Sequence, residues 1–187
     1  MPAVTRTPRS RWIAAGLQSL AAGGPAAVRV ETLAAGLGVT KGGFYGYFAD
    51  RAAFLTELLD EWERRSTDDV LAQVEAEGGA AATKIRRAGA LTFSAELLPV
   101  DLAVRSWARH DAAVAARLRH VDNARLGYLR SLFGDLVADP DEVEARSTLA
   151  FALAIGQHFM AADHGKRGRR QAIDLAAALL LASPGAA

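Results

Sequence analysis

Apolar side chains recur along this chain with a helical period from end to end. Ile13, Leu17 and Leu20 stand at i, i+4 and i+7, and Val30, Leu33, Ala34 and Leu37 repeat at i, i+3, i+4 and i+7. Phe54, Leu55, Leu58, Leu59 and Trp62 form a further stripe. No run alternates with period two and no hairpin signal occurs, so the pattern predicts an all-α fold. Stop and start signals divide it into about nine helices. The first spans about residues 8–22 and ends at Gly23-Gly24-Pro25; the second closes at Gly38; the third begins after Thr40. A fourth, capped by Asp50, runs to about residue 77, followed by helices over about 80–97, from Pro99 with Asp101 as cap, and 111–137. Asp139-Pro140 starts the eighth, expected to reach about residue 163, and the ninth covers about 169–181.

The stretch Arg29 to Arg51, RVETLAAGLGVTKGGFYGYFADR, carries the chemistry. A helix, a glycine turn and a short second helix follow one another, with Phe44 and Phe48 spaced to anchor one face. Opposite that face stand Thr40, Lys41, Gly42, Gly43, Tyr45 and Tyr47. A hydroxyl and an ammonium at a helix start favour phosphate, and two glycines let the backbone approach a groove wall. Tyrosine hydroxyls and the Arg51 guanidinium extend the set of phosphate donors. Charge follows the same division. Residues 1–51 hold six basic side chains against two acidic ones, net +4, whereas the remaining 16 basic and 19 acidic residues give −3.

The segment LGVTKGGFYGYF with Asp50-Arg51 resembles the DNA-binding domain of the TetR family of bacterial transcriptional regulators. The resemblance is close over about residues 9–62. It implies a helix-turn-helix DNA-binding domain at 1–51 and a helical ligand-binding and dimerisation domain at 52–187. It also implies contacts to double-stranded DNA from Thr40, Lys41, Tyr45 and Tyr47, and a phosphate contact from Arg51. Arg29, Gly42 and Gly43 complete the expected DNA-facing set. Arg6, Arg9 and Arg11 suit an N-terminal arm that touches the backbone or the minor groove, and Arg6 suits a solvated basic tail equally well. Four positions depart from the family pattern: Arg29 for a capping threonine, Gly43 for serine or threonine, Gly46 for an aromatic or polar residue, and Tyr47 for histidine. These departures keep open the alternative of a ligand-binding helical dimer whose DNA reader has degenerated.

The last two helices are apolar nearly all round, and Ala152, Gly156 and Ala177 permit close helix approach. The resemblance implies a homodimer through them, over about 141–163 and 169–181, and hence a palindromic operator. It further implies a cavity for an unidentified small-molecule effector. Phe93, Trp107, His110, Tyr128, Phe151 and His158 are the expected contacts, four of them pairing an apolar body with a polar tip. Each also suits an ordinary core position.

Other chemistries find little support. The chain lacks cysteine, which removes disulfide frameworks and thiolate metal sites. His158 and His164 stand six apart, roughly 600° of helical rotation, and so do not share a face. Neither a nucleophile elbow nor a phosphate-cradling glycine loop is present. No apolar run reaches the ~20 residues of a transmembrane helix, and the N-terminal stretch, interrupted by Gln18 and Ser19, reads as an amphipathic helix rather than a secretory signal. The expectation is a cytoplasmic, non-enzymatic regulator needing no cofactor.

Overall fold

The apolar stripe of the first helix is buried as its spacing predicts: Trp12, Ile13, Leu17 and Leu20 all lie inside. The computed structural model describes residues 7–182, and every regular element among them is helical. α1 (Arg9–Ala27) is interrupted at Gly23 and Gly24, and Gly24 takes the left-handed φ of +67° that glycine tolerates. Thus the break expected at the double glycine is present, with a short turn through Pro25 beyond it.

α2 (Val30–Leu37), α3 (Lys41–Tyr45) and α4 (Arg51–Glu63) follow. α4 continues through a π-helical segment (Arg64–Asp68) into α5 (Asp69–Glu77), so the predicted fourth helix is a single rod carrying one π turn. α6 (Ala81–Thr92) stops five residues before the expected Leu97, and α7 (Leu98–Ala108) takes Pro99 into its first turn. Asp101 is therefore not a cap. It is fully buried, accepting from Arg105 Nε at 2.7 Å one turn on. α8 (Ala112–Gly134), α9 (Pro140–Gly156) and α10 (Arg169–Leu181) complete the chain. α9 ends at Gly156 rather than near residue 163, where the His158 and Phe159 N–H groups tighten to carbonyls three residues back, Ile155 at 3.1 Å and Gly156 at 3.0 Å.

The chain divides into two units. The first joins residues up to Val70 with Thr92–Val121. Its core combines the α1, α2 and α4 stripes with Phe44, Phe48, Val100, Val104, Val114 and Val121. α7 packs along α1, and Arg117 of α8 ties to α4 through Asp60 at 2.6 Å and Glu63 at 2.6 Å. Gly16 lies where side chains of α4 press directly against the α1 backbone. A Cβ there would lie 2.6 Å from Phe54 Cζ and 2.8 Å from Leu58 Cδ2.

The second unit holds Leu71–Leu91 and the residues from Asp122 onward. Ile85, Leu132 and Phe133 form its buried cluster, with Tyr128, Val143, Ala150 and Leu181 against it. α9 and α10 pack together, and Arg146 bonds the α10 C-terminal end through the Leu180 carbonyl at 2.9 Å and the Ala182 carbonyl at 2.6 Å. Leu149, Phe159, Met160, Leu175 and Leu179 of this region remain exposed.

Candidate nucleic-acid interface

Residues 29–51 form the expected helix-turn-helix. Gly38 closes α2 with φ +68°, and its N–H and that of Val39 return to Ala35 and Ala34 at 3.1 and 2.9 Å. Thr40, in extended conformation, turns the chain into α3. It occupies the N-cap position without a side-chain cap bond, so its exposed hydroxyl is not consumed by the helix.

α3 is a single turn of helix held by one ring. Phe44 is completely buried and meets Trp12 and Phe54 edge-on, at 5.5 and 5.1 Å between centroids, and Phe48 at a tilt at 4.9 Å. Edge-to-face packing of this kind adds directional stability to the burial itself. Because Phe44 is fixed inward, Lys41, Gly42 and Tyr45 are exposed, Tyr45 by 57 %. Gly43 is partly covered by Trp12. Tyr47 differs from Tyr45: it is half-buried against the core, its ring 6.2 Å from Phe48.

Glycine at 42 and 43 is not required by the protein's own packing. A Cβ at Gly42 would lie 3.7 Å from Thr40 Oγ1, and one at Gly43 3.6 Å from Trp12 Cζ2, both ordinary contacts. Neither residue has positive φ. The bare backbone at the head of α3 therefore benefits nothing inside this chain.

Four of the expected cations are partnered within the protein. Lys41 Nζ forms an ion pair with Glu31 Oε1 of α2. That bond lowers the Glu31 carboxyl below its ordinary range and raises the Lys41 ammonium above its own. Arg51 Nε donates to the Val28 carbonyl at 2.6 Å, and Arg51 Nη2 donates to the Pro25 carbonyl. Arg29 is exposed at the α2 N-cap position, Nε to the Ala26 carbonyl at 3.4 Å. Arg9 lies over the Phe48 ring and pairs with Glu57; Arg11 is exposed; Arg6 lies outside the described residues. Glu31 is the participant the sequence reading missed. Its signal was present, since a carboxylate in the first turn of α2 is brought near the start of α3 by any tight helix-turn-helix.

The chain carries a TetR-family N-terminal domain. Residues 13–58 match the sequence profile of the bacterial regulatory proteins of the tetR family. No curated protein matches the chain by sequence. Among solved structures, the fold resembles the fatty acid degradation regulator FadR from Bacillus halodurans, with TM-score 0.65 and 18% identity over 97% of this chain and 99% of that one. FadR from Bacillus subtilis, solved with stearoyl-CoA, gives 0.66 and 16% over 94% and 98%. AibR, solved with isovaleryl coenzyme A and operator DNA, gives 0.64 and 14% over 91% and 98%. The TetR-like fold thus extends beyond the N-terminal domain to nearly the whole chain.

The six expected effector contacts do not fall in one unit. Phe93, Trp107 and His110 belong to the first, where Trp107 packs on the core and His110 is exposed in the turn after α7. Tyr128, Phe151 and His158, all half-buried, belong to the second. The Tyr128 hydroxyl donates to Glu75 Oε1 at 2.6 Å, and burial together with that carboxylate pushes the phenol well above its usual range. Among the described residues no cluster of histidine and carboxylate side chains is arranged to hold a metal ion, and no helix is long and apolar enough to cross a membrane.

Proposed function

We propose that this protein is a sequence-specific, DNA-binding transcriptional regulator, a repressor acting as a cytoplasmic homodimer on a palindromic operator and released by a small-molecule effector. The observation that carries the reading is α3 itself: one buried ring holds it, and Lys41, Gly42 and Tyr45 face outward from a surface whose glycines serve no internal packing. Thr40, Gly43, Tyr47, Arg29 and Arg51 complete the proposed interface, with residues 1–51 as the reading domain and 52–187 as the effector and dimerisation domain. Tyr47 and Arg51 act in part by orienting the element. The exposed apolar side chains of α9 and α10, Leu149, Leu175 and Leu179 among them, suit burial against a second copy. We assign no catalytic role.

The relatives with acyl-CoA ligands support an effector of amphipathic character. Phe93, Trp107 and His110 of the first unit and Tyr128, Phe151 and His158 of the second remain the proposed contacts, each set taken within its own unit. Selection of binding sites from random duplex DNA tests the central claim. Enrichment of one palindrome by dimeric protein is the expected result, with binding that falls steeply as salt is raised. Absence of enrichment at low salt, from folded dimeric protein, overturns it.

A further inference from the structure

The first unit contains a cleft of about 490 Å³ that none of the six expected effector contacts lines. One wall is α1, through Ala14, Leu17, Gln18, Ala21 and Ala22; another is the segment 95–100 leading into α7. The end of α4 and its π turn contribute Trp62 and Arg65. The size falls within the range of small-molecule sites, and the walls are mainly alanine, leucine, proline and valine side chains.

Two polar features distinguish this cleft from a packing gap. Trp62 is 1% exposed, and its indole N–H meets no acceptor among the described residues. A buried donor left in that state is costly. Arg65 supplies a guanidinium at the cleft, and its carboxylate partner Glu96, also a lining residue, is 74% exposed at the side chain. That ion pair is one a competing carboxylate can replace at little cost, because exposed pairs contribute little.

We propose that this cleft binds a small apolar monocarboxylate, its chain along the alanine face of α1 and its carboxylate on Arg65 in place of Glu96. The site lies against α1, the helix whose Trp12 supports Phe44 of α3, so occupancy bears on the proposed DNA-reading element through one shared helix. Binding itself does not depend on the DNA-binding assignment; only its regulatory consequence rests on that reading.

Calorimetric titration of the full-length protein, without DNA, uses octanoate as probe and 1-octanol as its uncharged counterpart. Octanoate is expected to bind at least about tenfold more tightly than octanol, the factor that one charge-assisted hydrogen bond supplies. Arg65→Gln is expected to remove that preference, and Ala22→Phe, a substitution at an exposed cleft position, to abolish binding of both probes. Glu96→Gln removes the competitor and is expected to tighten octanoate binding by roughly threefold. Circular dichroism of each variant establishes that it is folded. Equal affinity for the two probes, octanoate binding unchanged in Arg65→Gln or Ala22→Phe, or weaker binding in Glu96→Gln would overturn the proposal. Each of those results leaves the DNA reading standing, and failure of DNA selection leaves this titration unaffected.

Discussion

Arg51, the first residue of α4, reaches back 23 positions in sequence and donates Nε to the Val28 carbonyl at 2.6 Å. With the second bond to Pro25, one guanidinium satisfies two carbonyls of the turn that enters α2. A residue expected to bind phosphate is thus also a clamp on the helix-turn-helix. Arg51→Ala should lower stability by about 1 kcal/mol, since hydrogen bonds to a charged donor exceed neutral ones but this site is partly exposed. Urea denaturation checks it, with a lower midpoint and an unchanged slope expected. Loss of DNA affinity at unchanged stability would assign Arg51 to the interface alone.

The Lys41–Glu31 pair makes a sharper statement about DNA binding. Lys41 can approach a phosphate only with Glu31 close by, and the carboxylate is repelled by the same phosphate. Glu31→Gln should therefore raise operator affinity and steepen the salt dependence by about one unit of slope, as an added effective phosphate contact does. Affinity that drops in this variant would mean that Glu31 orients Lys41 productively.

Gly42 and Gly43 separate stability from function. Space for a methyl exists at both, so Gly42→Ala and Gly43→Ala should each raise stability by roughly 0.5–1 kcal/mol through helix preference. Both should weaken DNA binding by thickening the face presented to the groove. Thermal melts and duplex titrations measured on the same preparations decide the matter; tighter binding by the alanine variants would refute the close-approach role.

Gly16 behaves oppositely. An added Cβ at 2.6 Å from Phe54 Cζ forces α1 away from α4, and overpacking of this kind costs about 1–3 kcal/mol. Gly16→Ala should lower the unfolding free energy by that amount, seen as a lower denaturation midpoint, and no change would show that Phe54 relaxes freely.

In the second unit, Glu75 accepts from Lys84 and from the Tyr128 hydroxyl, and these bonds hold its carboxyl below the ordinary value near 4.5. A depressed folded value stabilises above the unfolded value and loses that contribution as pH falls through the folded one. The urea midpoint difference between wild type and Glu75→Gln should be full at pH 6 and shrink below about pH 4.5. A difference that persists to pH 3 would mean that Glu75 contributes through its neutral contacts.

The local signals were readable because they are chemical and short in range. Gly38, Asp50 and the Phe44/Phe48 spacing each act within a few residues, and each does in the structure what its position predicts: Asp50 accepts the Ala53 N–H at 2.7 Å. What the sequence left hidden depends on where separate elements meet. The partners of Lys41 and Arg51 lie on other elements, and Asp101, which looks like a cap after Pro99, is drawn inward by Arg105 four residues later. The cleft beside Arg65 is assembled from three segments, none of which carries a recognisable motif.

Of the five residues in α3, Phe44 alone is buried in the core. The fold's hold on this helix passes through that one position, and the outward residues carry almost no structural burden. On the proposed DNA-binding reading, substitution at 41, 42 or 45 rewrites what is read without unsettling the reader, so a descendant of this chain can change its binding site a residue at a time while remaining folded throughout. On that reading, DNA preference is free to drift far faster than architecture.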